Sequence, residues 1–540
     1  MSGSGNKGSP LRVCIVGGGC SGILSARQML DEGFESVIYE LSSCLGGTWA
    51  YNDDSEEGRP SVMRSTVMHN SKEMGAFSDF PPPKEAANYM HHTKMLAYLR
   101  SYADYFGITG KVRLRHEVLR ATQAEDYDTT GRWDVVVKDL ANGLERRETF
   151  DAVLVASGRH GFPNVPTFKG QEKFKGRIVH THSLKVPDQF KDKRVAVVGI
   201  GNSAVDAAVD ACHVAAEVYV STRRGAWIAK MLGPNGMPLD AARITRASRL
   251  KGRLVSMSTK LDKFEALLNS NFNHEAYGLR PKHSVDAQHL TISDALPSLI
   301  LSGLVRIKKD VVEFTENGVL FENDQEVTKV DDVILATGYR IQFPMLSEDV
   351  MPVVNNEVQL YKNVFPPGLQ HPTLAIIGLV QPSGSAFPII ELQARWMAQL
   401  LAGKCKLRPQ PEMLQDIART KEALRRRFVN SPRHTIQVDW LSYMDELADK
   451  IGASPKMLKY FFTDNQLFRA LLGPCVPYQY RLEGPHPWAG AKDAILGSQK
   501  RMLYPLNSSC SSFEIEKRCF SRFYGVVAIF ALLVALFVYN

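Results

Sequence analysis

At 540 residues, 44% of them apolar, the chain is too long for a single core and divides into roughly three or four domain-sized units. Its net charge of +8 comes from 65 basic and 57 acidic residues spread along the sequence, without the concentrated basic patch and interleaved aromatics of a nucleic-acid binder; the mild excess suits an anionic membrane face or phosphate-bearing ligands. The eight cysteines form no C-x-x-C pair and no metal-type cluster, so no metal site is expected and they read as packing residues of a reducing compartment.

The first ten residues lack the apolar core of a signal peptide, and the body is expected not to be secreted. Val13-Cys-Ile-Val-Gly-Gly-Gly-Cys-Ser-Gly22 then predicts a buried strand that turns through Gly17, Gly18, Gly19, Cys20, Ser21 and Gly22 directly into a helix. Such a turn is built to hold a dinucleotide. Gly17 permits the tight turn, Gly19 lets backbone approach a pyrophosphate, Gly22 allows close helix–strand packing, and the helix N-terminus offers unpaired N–H groups. The helix is expected to stop at Gly33. Ser36-Val-Ile-Tyr-Glu40 follows as a second strand whose terminal acid, 23 positions after Gly17, suits a ribose hydroxyl. Gly46, Gly47, Thr48 and Trp49 make a second close-approach loop.

His69-Asn-Ser-Lys-Glu-Met74 and Phe77-Ser-Asp-Phe-Pro-Pro-Pro83 read as irregular polar backbone, the kind of loop that more often carries function than core. Met95, Leu96, Leu99, Tyr102 and Tyr105 recur at helical spacing within 94–106, and 112–137 reads as a small β region. Asp151-Ala-Val-Leu-Val-Ala-Ser-Gly158 and Asp331-Asp-Val-Ile-Leu-Ala-Thr-Gly338 are twin buried strands, so the chain is expected to cross between domains twice at equivalent places. Between them, Lys193-Arg-Val-Ala-Val-Val-Gly-Ile-Gly-Asn-Ser-Ala204 repeats the strand–glycine–helix design through Gly199, Gly201, Asn202, Ser203, Ala204, Val205 and Asp206, with Ala204 in place of the third glycine. Its second strand, Val218 to Thr222, runs into Arg223 and Arg224 instead of an acid, and guanidinium groups match a 2′-phosphate.

Two glycine motifs with different strand ends imply two dinucleotides, FAD on the acid-ended one and NADPH on the arginine-ended one. The expected fold is α/β with two Rossmann-like dinucleotide-binding domains, the FAD domain interrupted by the NADP domain, plus a C-terminal transmembrane helix. The expected boundaries are 1–160 and 336–445 for the two parts of the FAD domain and 161–335 for the NADP domain with an insert at 225–283, followed by a C-terminal region at 446–521 and an anchor at 522–540. From Phe523 to Tyr539 no charge occurs, and that length of helix reaches about 26 Å, near the thin end of a bilayer span. Lys517, Arg518 and Arg522 on its near side favour a cytosolic body anchored by its tail, in contact with membrane lipid. The insert, with Trp227, Met231, Leu232, Arg243 and Lys251, reads equally as tunnel lining, membrane contact or an ordinary helical insert. Residues 412–427 read as a charged helix with a solvated face.

Hydride can pass from NADPH to FAD, and no cysteine pair follows the Gly-Gly-Thr loop to receive it, which leaves oxygen, a quinone or an electron-transfer partner as acceptor. A monooxygenase would need amide or imidazole donors in a dry pocket near the flavin, and His69 and Asn70 could supply them.

Val16-Gly-Gly-Gly-Cys-Ser-Gly22, Ser71-Lys-Glu-Met74, Phe77-Ser-Asp-Phe80, Phe174-Lys-Gly176 with His180, Gly201-Asn-Ser203, Ala336-Thr-Gly-Tyr339 and Gln393-Ala-Arg-Trp396 occur in order, and on them the chain resembles the flavin-containing monooxygenases of the endoplasmic reticulum membrane. The likeness runs from Val13 to about Ala494 and includes the tail. Residues 221–228, 278–283 and 373–378 look most like the fifth vertebrate form, which is associated with Baeyer–Villiger chemistry. The resemblance implies that NADPH reduces FAD and that oxygen adds at flavin C4a. NADP then shelters the hydroperoxide, which oxygenates a soft nitrogen or sulfur nucleophile or a ketone. It places Gln381 and Ser383 near the flavin. The family pattern Asn-x-Ser-Lys-Glu-Met has His69 in this chain at the place of its Asn, so the donor is either His69 or Asn70. His180 is expected to couple the domains structurally. Alternative readings from other classes are an NADPH oxidase releasing hydrogen peroxide and a non-catalytic NADPH-sensing membrane regulator. Assembly with further copies of the chain is left open.

Overall fold

The computed structural model describes residues 10–506. Ten parallel strands carry it: β1 (Arg12–Val16), β2 (Glu35–Glu40), β3 (Val112–Leu114), β4 (Ala152–Val155), β5 (Arg177–His180), β6 (Arg194–Val198), β7 (Glu217–Ser221), β8 (Val305–Lys308), β9 (Asp332–Leu335) and β10 (Leu374–Ile376). They form two five-stranded sheets, in the orders β10-β4-β1-β2-β3 and β8-β7-β6-β9-β5. The helices that matter to the site are α1 (Cys20–Asp31), α2 (His92–Tyr105), α3 (Asn202–Ala211), α4 (Phe387–Leu401), α5 (Trp440–Lys450) and α6 (Ala491–Leu503).

The two sheets are built alike down to register. Val13 is level with Ser36 and Ala152, and Val195 with Val218 and Asp332. Alternation along each central strand sorts its side chains between two layers. Val13 and Ile15 join α1 and α4 residues such as Ile23, Leu24 and Trp396, whereas Cys14 and Val16 join Val135 and Phe150 of an antiparallel meander. In the second unit Val195 and Val197 pack on Val205 and Ala208 of α3, and Ala196 and Val198 on Phe314 and Phe321 of another meander. Each meander ends just before the strand that closes the crossover. There Asp151 accepts from Arg12 N at 2.7 Å, and its twin Asp331 accepts from Arg194 N at 2.8 Å and pairs with that arginine's guanidinium at 2.6 Å. The matching aspartates read from the sequence thus tie the start of each central strand to the closing one.

His69–Pro83 is irregular, as its composition predicts, but Ser71 to Ser78 are buried. Lys72 donates to the carbonyls of Lys84 and Ala86 at 2.7 Å each. Glu73 accepts from Tyr478 OH at 2.7 Å and Arg501 Nε at 2.8 Å, which fastens the C-terminal region and α6 to the first unit. Beside it Arg481, 1% exposed, reaches Ser78 Oγ at 2.8 Å, Glu391 at 3.0 Å and Asp79 at 3.3 Å. The polar stretch is therefore a buried structural knot from Ser71 onward, because its charges find partners hundreds of residues away.

The insert is helical at Leu239–Arg243, Arg246–Arg253 and Met257–Asn271. His180 packs its ring on Tyr339 at 5.4 Å and accepts from His182 N at 3.0 Å, a linker contact. The tail expected to span a bilayer lies outside the described residues; among the described residues no helix is long and apolar enough to cross a membrane.

Candidate functional site

The first cradle is the turn between β1 and α1. Gly17 has φ 108°, and a Cβ there would stand 2.7 Å from the Ala156 carbonyl; a Cβ on Gly22 would strike the Gly17 carbonyl. Gly19 faces Gly47, with room for a Cβ only at 3.4 Å, so two backbones meet here without side chains between them. Gly19 is also the N-cap of α1 and gives it no side-chain cap, which leaves first-turn N–H groups for an anion. Glu40 lies level with Gly17, its carboxylate accepting from Gly18 N and, at 2.7 Å, from Ser42 N. Those two amides fix the acid and leave lone pairs for a hydroxyl. Cys20 and Ser21 are buried in the first turn of α1, Ser21 against Gly378; Thr48 is half-buried and Trp49 packs on Phe387 at 6.0 Å.

The second cradle repeats this between β6 and α3. Gly199 has φ 127°, with a Cβ meeting the Ala336 carbonyl at 2.6 Å, and Gly201 caps α3 without a side chain. Ala204 and Val205 are buried in the helix–sheet contact and Ser203 is exposed. Asn202 spends its side-chain oxygen on Ile292 N at 2.9 Å, anchoring the insert's return. By register the counterpart of Glu40 is Thr222, whose hydroxyl accepts from Gly225 N at 3.0 Å and shapes the bend that releases Arg223 and Arg224. Both arginines are exposed, and Arg224 donates to the Asn430 carbonyl at 3.4 Å.

Where the units meet, His69 and Asn70 are half-buried, and His69 Nε2 stands 3.8 Å from Asp206 Oδ1 on α3. The next residue, Ser71, donates its N–H to Asp240 of the insert at 2.7 Å, so the loop is docked on the second unit from both sides. Burial lowers the His69 pKa against the pull of Asp294. Burial, then Asp210, pushes Asp206 up to about 7. Gln381 accepts from Arg159 at 3.3 Å, and its N–H donates to Ile436.

The structure thus gathers the Gly17–Gly22 turn with Glu40, Gly47 and Trp49, and separately the Gly199–Asp206 turn with Thr222, Arg223 and Arg224, with His69 3.8 Å from Asp206. Sequence reasoning missed Arg159, His160, His289 and Arg433. Each sits in an ordinary loop, and only the place of Arg159 just after the Ala-Ser-Gly strand end hinted at a role.

Two glycine cradles that leave helix N–H groups free, one closed by an acid and one followed by arginines, fit a pair of dinucleotides and define a two-dinucleotide oxidoreductase. The family described as "Flavin-binding monooxygenase-like" matches residues 10–540. The chain belongs to that family and is a flavin-containing monooxygenase that uses FAD and NADPH. It is 45% identical over 498 residues to flavin-containing monooxygenase 5 of Rattus norvegicus, covering 92% of this chain and 93% of that one. Among solved structures it is similar in fold to S-allyl-L-cysteine S-oxygenase from Allium sativum, at 24% identity and TM-score 0.63 over 92% of this chain and 99% of that one. It is also similar to OTEMO in complex with FAD and NADP, at 18% identity and TM-score 0.60 over 82% and 98% of the two chains.

Proposed function

We propose that the chain catalyses the NADPH- and O2-dependent oxygenation of small molecules, either at soft nitrogen or sulfur atoms or, in Baeyer–Villiger fashion, beside a ketone. The observation that carries this reading is the pair of register-matched cradles with opposite charge at the second strand, without a dithiol to drain electrons: the six described cysteines are all free. The relatives named flavin-containing monooxygenase 5 and the plant S-oxygenase support it by likeness.

When bound, NADPH supplies hydride and the flavin carries the electrons to oxygen. The residues do the holding. The N–H groups at Gly19–Gly22 and Gly201–Ser203 would bind the two pyrophosphates, Glu40 would accept from the flavin nucleotide's ribose, and Arg223 with Arg224 would grip the 2′-phosphate. His69, or Asn70 beside it, donates a hydrogen bond at the reacting face, and the buried knot that follows keeps water from that side. We assign 1–160 with 336–445 to the FAD unit, 161–335 to the NADP unit and 446–521 to a C-terminal region. Residues 522–540 anchor the cytosolic body in the endoplasmic reticulum membrane, a placement supported by the charge-free tail and by exposed Leu254, Met257 and Phe462 on the body.

The test is stoichiometry. Detergent-solubilised protein given NADPH, oxygen and in turn one sulfide, one tertiary amine and one ketone is expected to yield oxygenated product for most of the NADPH consumed. Hydrogen peroxide accounting for all of it would replace the reading with an oxidase, and no consumption would leave a nucleotide sensor.

A further inference from the structure

Arg433 lies over the second cradle although it belongs to neither β6 nor α3. A Cβ on Gly201 would stand 2.9 Å from its Nη2 and 3.0 Å from its Nη1. It is carried by the turn Pro432–His434, just before the strand Gln437–Val438 that pairs with Gln381–Pro382. That segment continues from β10 and so belongs to the first unit. Arg159 comes from the same unit, following β4, and among the described residues its guanidinium hydrogen-bonds to the neutral Gln381 at 3.3 Å.

Other enclosed arginines in this molecule are held by a partner, Arg243 by the face of the Phe264 ring at 3.4 Å. Arg481 has Glu391 and Asp79, Arg246 has Asp445 at 2.9 Å through two nitrogens, and Arg395 has the carbonyls of Tyr480 and Pro485. Among the described residues the Arg433 guanidinium has no such partner. The Arg433 charge is felt by Arg159, His160, His289 and His434, and that of Arg159 by His160 and His289, while among the described residues no carboxylate acts on either arginine. Burial lowers Arg433, and burial with the neighbouring Arg433 pushes Arg159 down to about 10. His289 Nδ1 and His434 Nε2 are buried without a partner. Arg433 keeps exposed surface, so its guanidinium is open to a ligand from solvent. The Arg433 guanidinium over a helix N-terminus that no side chain caps, with the Arg159 charge beside it and no carboxylate to offset either, makes a focused positive field, and a guanidinium can fork onto phosphate oxygens.

We propose that Arg433 and Arg159, both carried by the first unit, bind the pyrophosphate of the dinucleotide seated on the Gly199–Gly201 turn, so that this dinucleotide clasps the two units together. The inference rests on the assignment of NADP to the second cradle and adds the residues that retain it. Arg223 reads the 2′-phosphate, which only NADP carries; Arg433 reads the pyrophosphate, which NADP and NAD share. The clasp therefore sets how tightly either nucleotide stays bound and leaves the choice between them to Arg223.

The test is equilibrium binding to oxidised, FAD-loaded enzyme without turnover, followed by calorimetry and by the change in flavin absorbance. Arg433→Gln is expected to raise the Kd of NADP+ about 10- to 100-fold, and that of NAD+ by the same factor. FAD content should be unchanged, and the thermal midpoint without nucleotide should be equal or higher, because an unpaired charge has been removed. Arg433→Lys should fall between, and Arg159→Gln should act in the same direction; these two carry the test if Arg433→Gln does not fold. An unchanged NADP+ Kd, or a loss confined to NADP+, overturns the proposal. Wild-type enzyme that binds neither nucleotide would instead refute the assignment of the second cradle.

Discussion

The two cradles are one device used twice. Both central strands end on a glycine that no other residue could replace without meeting a carbonyl, both helices start without a cap, and both second strands run level with the turn. They differ in one register position and its sequel. In the first, Glu40 is locked by two backbone amides; in the second, Thr222 turns the chain outward to Arg223 and Arg224, and Arg433 covers the turn from the other unit. Backbone geometry makes both sites fit a pyrophosphate, and under the proposed function it is the charge at a single strand end that decides which nucleotide each prefers.

The hardest break of that symmetry is at the glycines. Gly17→Val forces a β-branched residue to φ 108° against a carbonyl and should leave no flavin-loaded protein, measured as yellow colour per polypeptide. Gly199→Val carries the same clash at φ 127° and should spare FAD while abolishing NADP+ binding. Next in size is the knot that buttresses only the first unit. Arg481→Ala strands Glu391 and Asp79 in the interior and should cost about 3–5 kcal/mol, read from chemical denaturation of the FAD-loaded protein. Arg223→Ala should weaken NADPH about 10-fold or more with NADH unaffected, and equal losses would remove the 2′-phosphate argument.

Smaller effects sharpen the seam between the units. His69→Ala should raise the share of NADPH lost as hydrogen peroxide about two- to five-fold, while Asn70→Ala should not; the reverse pattern would move the donor to Asn70. Asp206 binds its proton more tightly when folded, with its pKa raised from 3.8 to about 7. Stability therefore falls as pH rises through that window. Asp206→Asn should lift the thermal midpoint by about 1–3 °C at pH 8 and leave it unchanged at pH 4.

What the chain reveals before folding is whatever is local. The glycine turns, Glu40, the arginine pair and the twin aspartates are each set by spacing within one strand–turn–helix unit, and the structure builds those elements at those positions. What it conceals depends on partners far along the chain. Ser71–Ser78 read as an irregular polar loop and not as core because Tyr478, Arg481 and Arg501, which bury its charges, lie some four hundred positions later. Arg433 is silent in sequence for the same reason, since its meaning comes from lying above Gly201. The approach of His69 to Asp206 likewise needs the second unit in place.

The division of labour between the cradles is tested most directly by mixing purified, FAD-loaded protein anaerobically with NADPH or NADH and following the flavin absorbance. The account predicts bleaching by NADPH at concentrations at least ten-fold lower than by NADH. Equal bleaching by both, or a protein that holds no flavin to bleach, would contradict it.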